Sequence, residues 1–156
     1  MLVVADTNVF VRALFLKDDW CGKVLRLESE KTIQFAMNED TYLELCLVIA
    51  EFLIKEDKSR FLRIYNKFMN VLWRIVKIPH QTYSNLSADP GDNKFIDCAI
   101  DGECPYIITY DGSHLFGLEP KIKKEYGKLI KILSPYQFFV EISSLKLQQI
   151  INARRL

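Results

Sequence analysis

Five short apolar runs punctuate the chain: "MLVVAD" at 1–6, "TIQFA" at 32–36, "WRIVKI" at 73–78, "YIITY" at 106–110 and "KLIKIL" at 128–133. Most are separated by segments of helical period. The order is strand, helix, strand, helix, helix, strand, helix, strand, strand, helix. Short buried strands joined through helices imply a parallel sheet covered on both faces. Right-handed crossovers leave few topologies for such a sheet. The expected class is therefore α/β, with three layers: a central, mainly parallel five-stranded sheet flanked by helices.

Residues 8–30 read as helical, in one piece or in two with a break near "KDDW". The stretch "NEDTYLELCLVIAEFLIKED" predicts a helix from about Asp40 to Ile54, capped by Asn38 or Asp40. Its inward stripe is expected at Leu43, Leu47, Ala50 and Ile54. Residues 57–73 predict a second amphipathic helix with Phe61, Ile64, Tyr65, Phe68 and Leu72 inward. A further helix begins near Asp92 and ends by Gly102. Between "YIITY" and "KLIKIL" only a Gly- and Lys-containing loop is expected. Ser134 caps a last helix with Pro135 in its first turn, where proline is tolerated. The tail from Ser144 to Arg155 keeps helical spacing at Leu147, Ile150 and Ile151. The polar stretch 80–91 is the least apolar connection and the best candidate for mobility.

Composition narrows the function classes. With 156 residues, 49% of them hydrophobic, the chain suffices for one domain with a sizeable core. A net charge of +1 means that nucleic-acid binding has to come from local patches. Cys21, Cys46, Cys98 and Cys104 form no C-x-x-C pair and are expected as reduced thiols in a cytoplasmic protein. His80 and His114 show no His/Cys metal spacing. No apolar run approaches membrane-spanning length, and the N-terminal run, short and without a basic region before it, is not expected to be a signal peptide.

The acids fall in a pattern. In an open parallel sheet, the functional crevice lies beyond the carboxyl ends of the strands. Asp6 ends the first strand and Asp111 follows the fourth. Asp92 opens the helix that leads into that fourth strand. Glu44 sits inside an apolar helix, either at its solvent edge or held there for a purpose. Each acid alone has an ordinary reading: a turn residue, a helix cap, a turn pair with Gly112, a solvated helix position. Together, uncompensated carboxylates repel and raise one another's pKa values. A divalent cation with oxygen ligands, Mg²⁺ or Mn²⁺, removes that repulsion. Such an ion activates water and stabilises charge on a phosphodiester. Thr7 and Asn8 would then orient Asp6 or meet the phosphate.

In order and spacing, "VVADTNVFVRALF", "LELCLVIAEFL", "DPGDNKFIDCAIDGECPYIITYDGSHL" and "IKILSPYQFF" resemble the PIN-domain nucleases, in particular their toxin–antitoxin branch. The resemblance runs from Met1 to about Val140. It implies a PIN-like nuclease domain at 1–142 and leaves 143–156 as a C-terminal helical tail. It also implies a metal-dependent endoribonuclease that uses metal-activated water. The family's four acids map to Asp6, Glu44, Asp92 and Asp111, as both catalytic and metal-binding residues. Thr109 matches the threonine before the last acid, and Asn8 the polar residue after the first. Asp97 is a further candidate. It lies five positions from Asp92, about 140° around the helix, and shares a face with Asn93 instead. Otherwise it is a solvated helix position. Gly91 stands where many relatives carry another acid.

The implied partners are RNA, single-stranded or looped, and an antitoxin protein. The antitoxin would enter the acidic cleft or bind the helical pair 40–54 and 57–73. Arg12, Lys17, Lys94 and the cluster Lys121, Lys123, Lys124 and Lys128 are the candidates for phosphate contact. A homodimer is compatible with the apolar tail. Two other readings stay open. One is a catalytically silent PIN fold that binds RNA or acts as a scaffold. The other is a receiver-like Mg²⁺-binding signalling domain, which needs an acidic pair after the first strand where this chain has a single acid.

Overall fold

The computed structural model describes residues 1–153, so positions 154–156 of the expected tail lie outside the described residues. The strands are β1 Leu2–Ala5, β2 Gln34–Met37, β3 Val76–Lys77, β4 Tyr106–Ile108 and β5 Lys131–Leu133. The helices are α1 Thr7–Leu14, α2 Asp19–Ser29, α3 Glu39–Leu53, α4 Lys58–Leu72, α5 Asn93–Asp101, α6 Glu119–Tyr126 and α7 Pro135–Ala153. All five strands pair in parallel, in the order β3-β2-β1-β4-β5. The chain steps outward from β1 to β2 and β3, then returns to the other side of β1 for β4 and β5. The switch in direction falls between β1 and β4, the place where open α/β sheets hold ligands.

Strand side chains alternate between two cores. Val3, Ala5, Phe35, Met37 and Ile108 pack under α1–α4 and α7. Val4, Ala36, Ile107 and Ile132 face the opposite way, toward α5 and α6. Helix, sheet and helix thus make the three expected layers. The expected helix at 8–30 is two helices. Asp18 starts the second by accepting hydrogen bonds from the Trp20 and Cys21 amides at 3.0 Å. Ser134 and Gln137 form a reciprocal capping box at the start of α7, with Pro135 as first helical residue. α7 then runs unbroken past residue 142.

Three expectations are corrected. First, Leu43, Leu47 and Ile54 are exposed, and α3 buries Thr41, Leu45, Ile49 and Leu53 instead. The helix is apolar nearly all round, so its period fits two stripes. Its polar anchors choose between them. Asn38 and Thr41 bond to each other in the first turn, and Thr7 Oγ1 donates to Glu44 Oε1 at 2.6 Å. In α4, likewise, Ile64, Phe68 and Val71 are buried, while Tyr65 is exposed. Leu45→Ala is expected to cost about 2–5 kcal/mol in chemical denaturation. Leu47→Ala should stay within about 0.5 kcal/mol. Equal losses at the two positions would contradict this rotation of α3.

Second, a helix, α6, occupies the expected Gly/Lys loop. Its segment "EPKIKKEY" buries only Ile122 and stops at Gly127, whose φ of 67° is left-handed. One buried residue leaves no periodic signal to read. Third, residues 81–87 are an extended strap pinned to α5. Asp101 accepts from the Gln81 and Thr82 amides, Asp97 from Ser84, and Asn93 from Leu86 and Ser87, at 2.8–3.0 Å. Acceptors four apart on a helix advance about 6 Å, and two residues of extended chain advance about 6.6 Å, so the rungs match in pitch.

Candidate metal centre

The site is built at the β1/β4 switch point. Asp6 follows β1 and caps α1. Its Oδ1 accepts from the Asn8 amide at 3.1 Å, and its Oδ2 from Thr109 Oγ1 at 2.8 Å. The same Thr109 oxygen accepts the Asp111 amide at 2.8 Å. One threonine beyond β4 thereby ties the first acid to the last. Thr7 joins Glu44 to this rim. The second Glu44 oxygen meets Lys94 Nζ at 2.5 Å, and that ammonium also donates to the Gly91 carbonyl at 2.6 Å.

Asp92 closes a single 3₁₀ turn, Pro90–Asp92, just before α5, yet makes no capping hydrogen bond. Among the described residues, its Oδ2 is buried without a hydrogen-bond partner. His114 Nδ1 stands 3.4 Å from that oxygen, too far for a well-formed bond, and 3.0 Å from Asp111 Oδ2.

The electrostatics follow the geometry. Burial pushes the Asp6 carboxyl up, and the charges of Glu44 and Asp111 add to it against the hydrogen bonds from Asn8 and Thr109. Burial, then Asp111, Asp89 and Asp6, push Asp92 up to about 6. Asp111 goes the other way. Burial would raise it, but the Ser113 and His114 amides and the His114 ring outweigh burial and hold it below the ordinary carboxylate range. The four acids therefore share one electrostatic neighbourhood.

Asp92 carries a pH signature. Its folded value near 6 lies above the ordinary 3.8, so the folded chain binds the proton more tightly than the unfolded one. Stability falls as pH rises between about 4 and 6, and the full penalty holds above that window. Asp92→Asn is expected to gain about 1–2 kcal/mol at about pH 7.5 in metal-free buffer and nothing below about pH 4. The bare shift corresponds to roughly 3 kcal/mol, but partial solvent contact screens it. Melting curves across that range check the sign.

The remaining sequence candidates divide. Thr7 and Thr109 are part of the constellation. Asn8 contributes its amide to Asp6, and its side chain is exposed. Asp97 is buried at 3% exposure and is bonded to Ser84 and His80, so it belongs to the strap. It is not a solvated position, and its hydrogen bonds run to the strap. Arg12 lies over the Tyr110 ring, and Lys128 pairs with Glu103. Asp89 and His114 were missed. Ligand atoms of Asp89, Asp92 and His114 all lie within 4.8 Å of one another. The Asp-x-x-His spacing in "DGSH" is the signal that could have marked His114. Among the described residues, no helix is long and apolar enough to cross a membrane.

Comparison with known proteins agrees with the architecture. Residues 2–113 match the family described as PIN domain. The uncharacterized protein MJ1680 of Methanocaldococcus jannaschii is 33% identical over 144 residues, covering 89% of this chain and 90% of that protein. A crystal structure of VapBC2 from Rickettsia felis bound to a DNA fragment from their promoter is similar in fold. Its TM-score is 0.52 at 18% identity, over 85% of this chain and 98% of that one.

Proposed function

The chain belongs to the PIN-domain family, and from that premise we propose that it is a Mg²⁺- or Mn²⁺-dependent endoribonuclease, the toxin of a toxin–antitoxin pair. One observation carries the reading. Asp92 Oδ2 is buried with no hydrogen-bond partner, among acids drawn from four separate parts of the chain. A buried, unsatisfied carboxylate oxygen is costly. A hard cation satisfies it, and the all-carboxylate donor set of Asp6, Glu44, Asp92 and Asp111 suits such ions.

When bound, the ion lowers the pKa of water and neutralises charge on the phosphodiester. This chain's residues do the positioning. Thr109 holds Asp6 and the Asp111 backbone in one register. Thr7 fixes Glu44. Lys94 keeps a cation beside the acids, available to a phosphate oxygen once the substrate competes for it. Single-stranded or looped RNA is the fitting substrate, because its bases and backbone can be splayed into a rim-level site.

The antitoxin has a surface to meet in the α3–α4 pair, whose outer side exposes Leu43, Leu47 and Ile54. The end of α7 beyond residue 142 exposes Leu145, Leu147, Ile150 and Ile151, which suits a contact between two copies. The test is cleavage of single-stranded RNA by the purified chain with Mg²⁺ or Mn²⁺ and then with EDTA. Cleavage should require the metal. Cleavage that continues in EDTA would remove the mechanism.

A further inference from the structure

Resting on that reading, we propose that His114 is a nitrogen ligand of the metal centre and makes it prefer Mn²⁺ to Mg²⁺.

The geometry begins with the turn after β4. Asp111 Oδ1 accepts the amides of Ser113 and His114 at 2.9 and 3.2 Å. This folds the backbone back on itself and brings the imidazole over the acids. It is Nδ1 that faces inward, 3.0 Å from Asp111 Oδ2 and 3.4 Å from Asp92 Oδ2. Neighbouring ligands of an octahedral ion with bonds near 2.1 Å stand about 3 Å apart. The two nitrogen–oxygen separations are close to that edge length. At 3.4 Å the ring does not itself satisfy Asp92 Oδ2, which remains buried and without a hydrogen-bond partner. A cation between Nδ1 and that oxygen satisfies the carboxylate oxygen. Nδ1 meets Asp111 Oδ2 in the absence of an ion, so metal binding exchanges that hydrogen bond for a coordinate bond, with the ring proton on Nε2.

The chemistry sets the preference. Mg²⁺ selects oxygen and water and gains little from imidazole. Mn²⁺ accepts carboxylate and imidazole together more readily. A nitrogen donor on the Asp92–Asp111 side of the cluster supplements the carboxylate oxygens of Asp6, Glu44, Asp92 and Asp111.

The experiment uses the full chain loaded with Mn²⁺. Electron spin echo spectra should show imidazole nitrogen modulation, and His114→Gln should abolish it with Mn²⁺ still bound. The Mn²⁺ dissociation constant of the variant should rise by at least about tenfold, the loss that even a residue merely supporting a ligand causes. The Mg²⁺ constant, read by competition, should stay within a factor of about three. Modulation that is absent from the wild type, or that persists in His114→Gln, overturns the assignment. Equal weakening of both metals overturns the preference. Mn²⁺ bound with oxygen surroundings alone defeats His114 and leaves the nuclease reading standing. No binding of either ion, with RNA cleaved in EDTA, defeats both.

Discussion

If the proposed function holds, Asp6→Asn is expected to lower RNA cleavage by at least about a hundredfold, the upper range of losses seen when only the support of a metal ligand is removed. The fold is expected to stay intact. Asparagine caps helices as well as aspartate does, so its carbonyl can keep the Asn8 amide bond that starts α1. The amide nitrogen then faces Thr109 Oγ1, which already accepts from the Asp111 amide and loses its own acceptor. That rearrangement costs about 1 kcal/mol. Against it, the variant removes a charge that burial and two neighbouring acids disfavour. The two effects oppose each other, and the net change in stability should lie within about 1 kcal/mol. Paired assays of cleavage and chemical denaturation check both halves. Full activity in the variant would leave the acids without their proposed role, and a large loss of stability would make the activity result uninformative about metal.

Arg74→Leu has the largest expected effect on stability. Glu28 lies in the last turns of α2 with a side chain only 2% exposed. Arg74 grips it with two nitrogens, Nε at 2.5 Å and Nη2 at 2.6 Å, from the connection between α4 and β3. The pair ties α2 to the α4–β3 connection across 46 residues of sequence. Removing the guanidinium strands a buried carboxylate, a change that costs about 3–5 kcal/mol. Urea denaturation of the variant reads the loss directly, and a change within about 0.5 kcal/mol would contradict it. The double variant with Glu28→Leu should recover much of the stability, because a well-packed apolar pair of similar size is often no worse than the ion pair it replaces.

Two of the acids were legible for one reason. Each follows an apolar run: Asp6 after "LVVA", Asp111 shortly after "YII". A strand terminus fixes which rim its next side chain occupies, so the rim was legible, whereas the switch point between β1 and β4 needed the strand order of the folded sheet. Glu44 was legible only as an anomaly. An acid in an apolar helix marks a face, but the helical period fits two stripes, and the choice between them depends on Thr7, 37 residues away. His114 lay outside any His/Cys spacing because its partners come from the turn itself and from the 3₁₀ turn before α5. The helix α6 carries one buried residue, too few to print a period. Asp97 looked like a surface residue because charge usually is, whereas here it is buried by the extended backbone that lies over it.

That extended backbone changes how this region can vary. Polar connections between elements ordinarily absorb insertions and deletions freely. Between His80 and Asp89 the chain has no such freedom, because Asn93, Asp97 and Asp101 receive its amides at fixed steps. Adding or losing one residue there shifts every later amide off its acceptor and turns inward-facing side chains outward. The distance from β3 to Asp92 is thus held as a ruler holds a length, and the last few residues before the acid inherit a position that drift in loop size cannot alter.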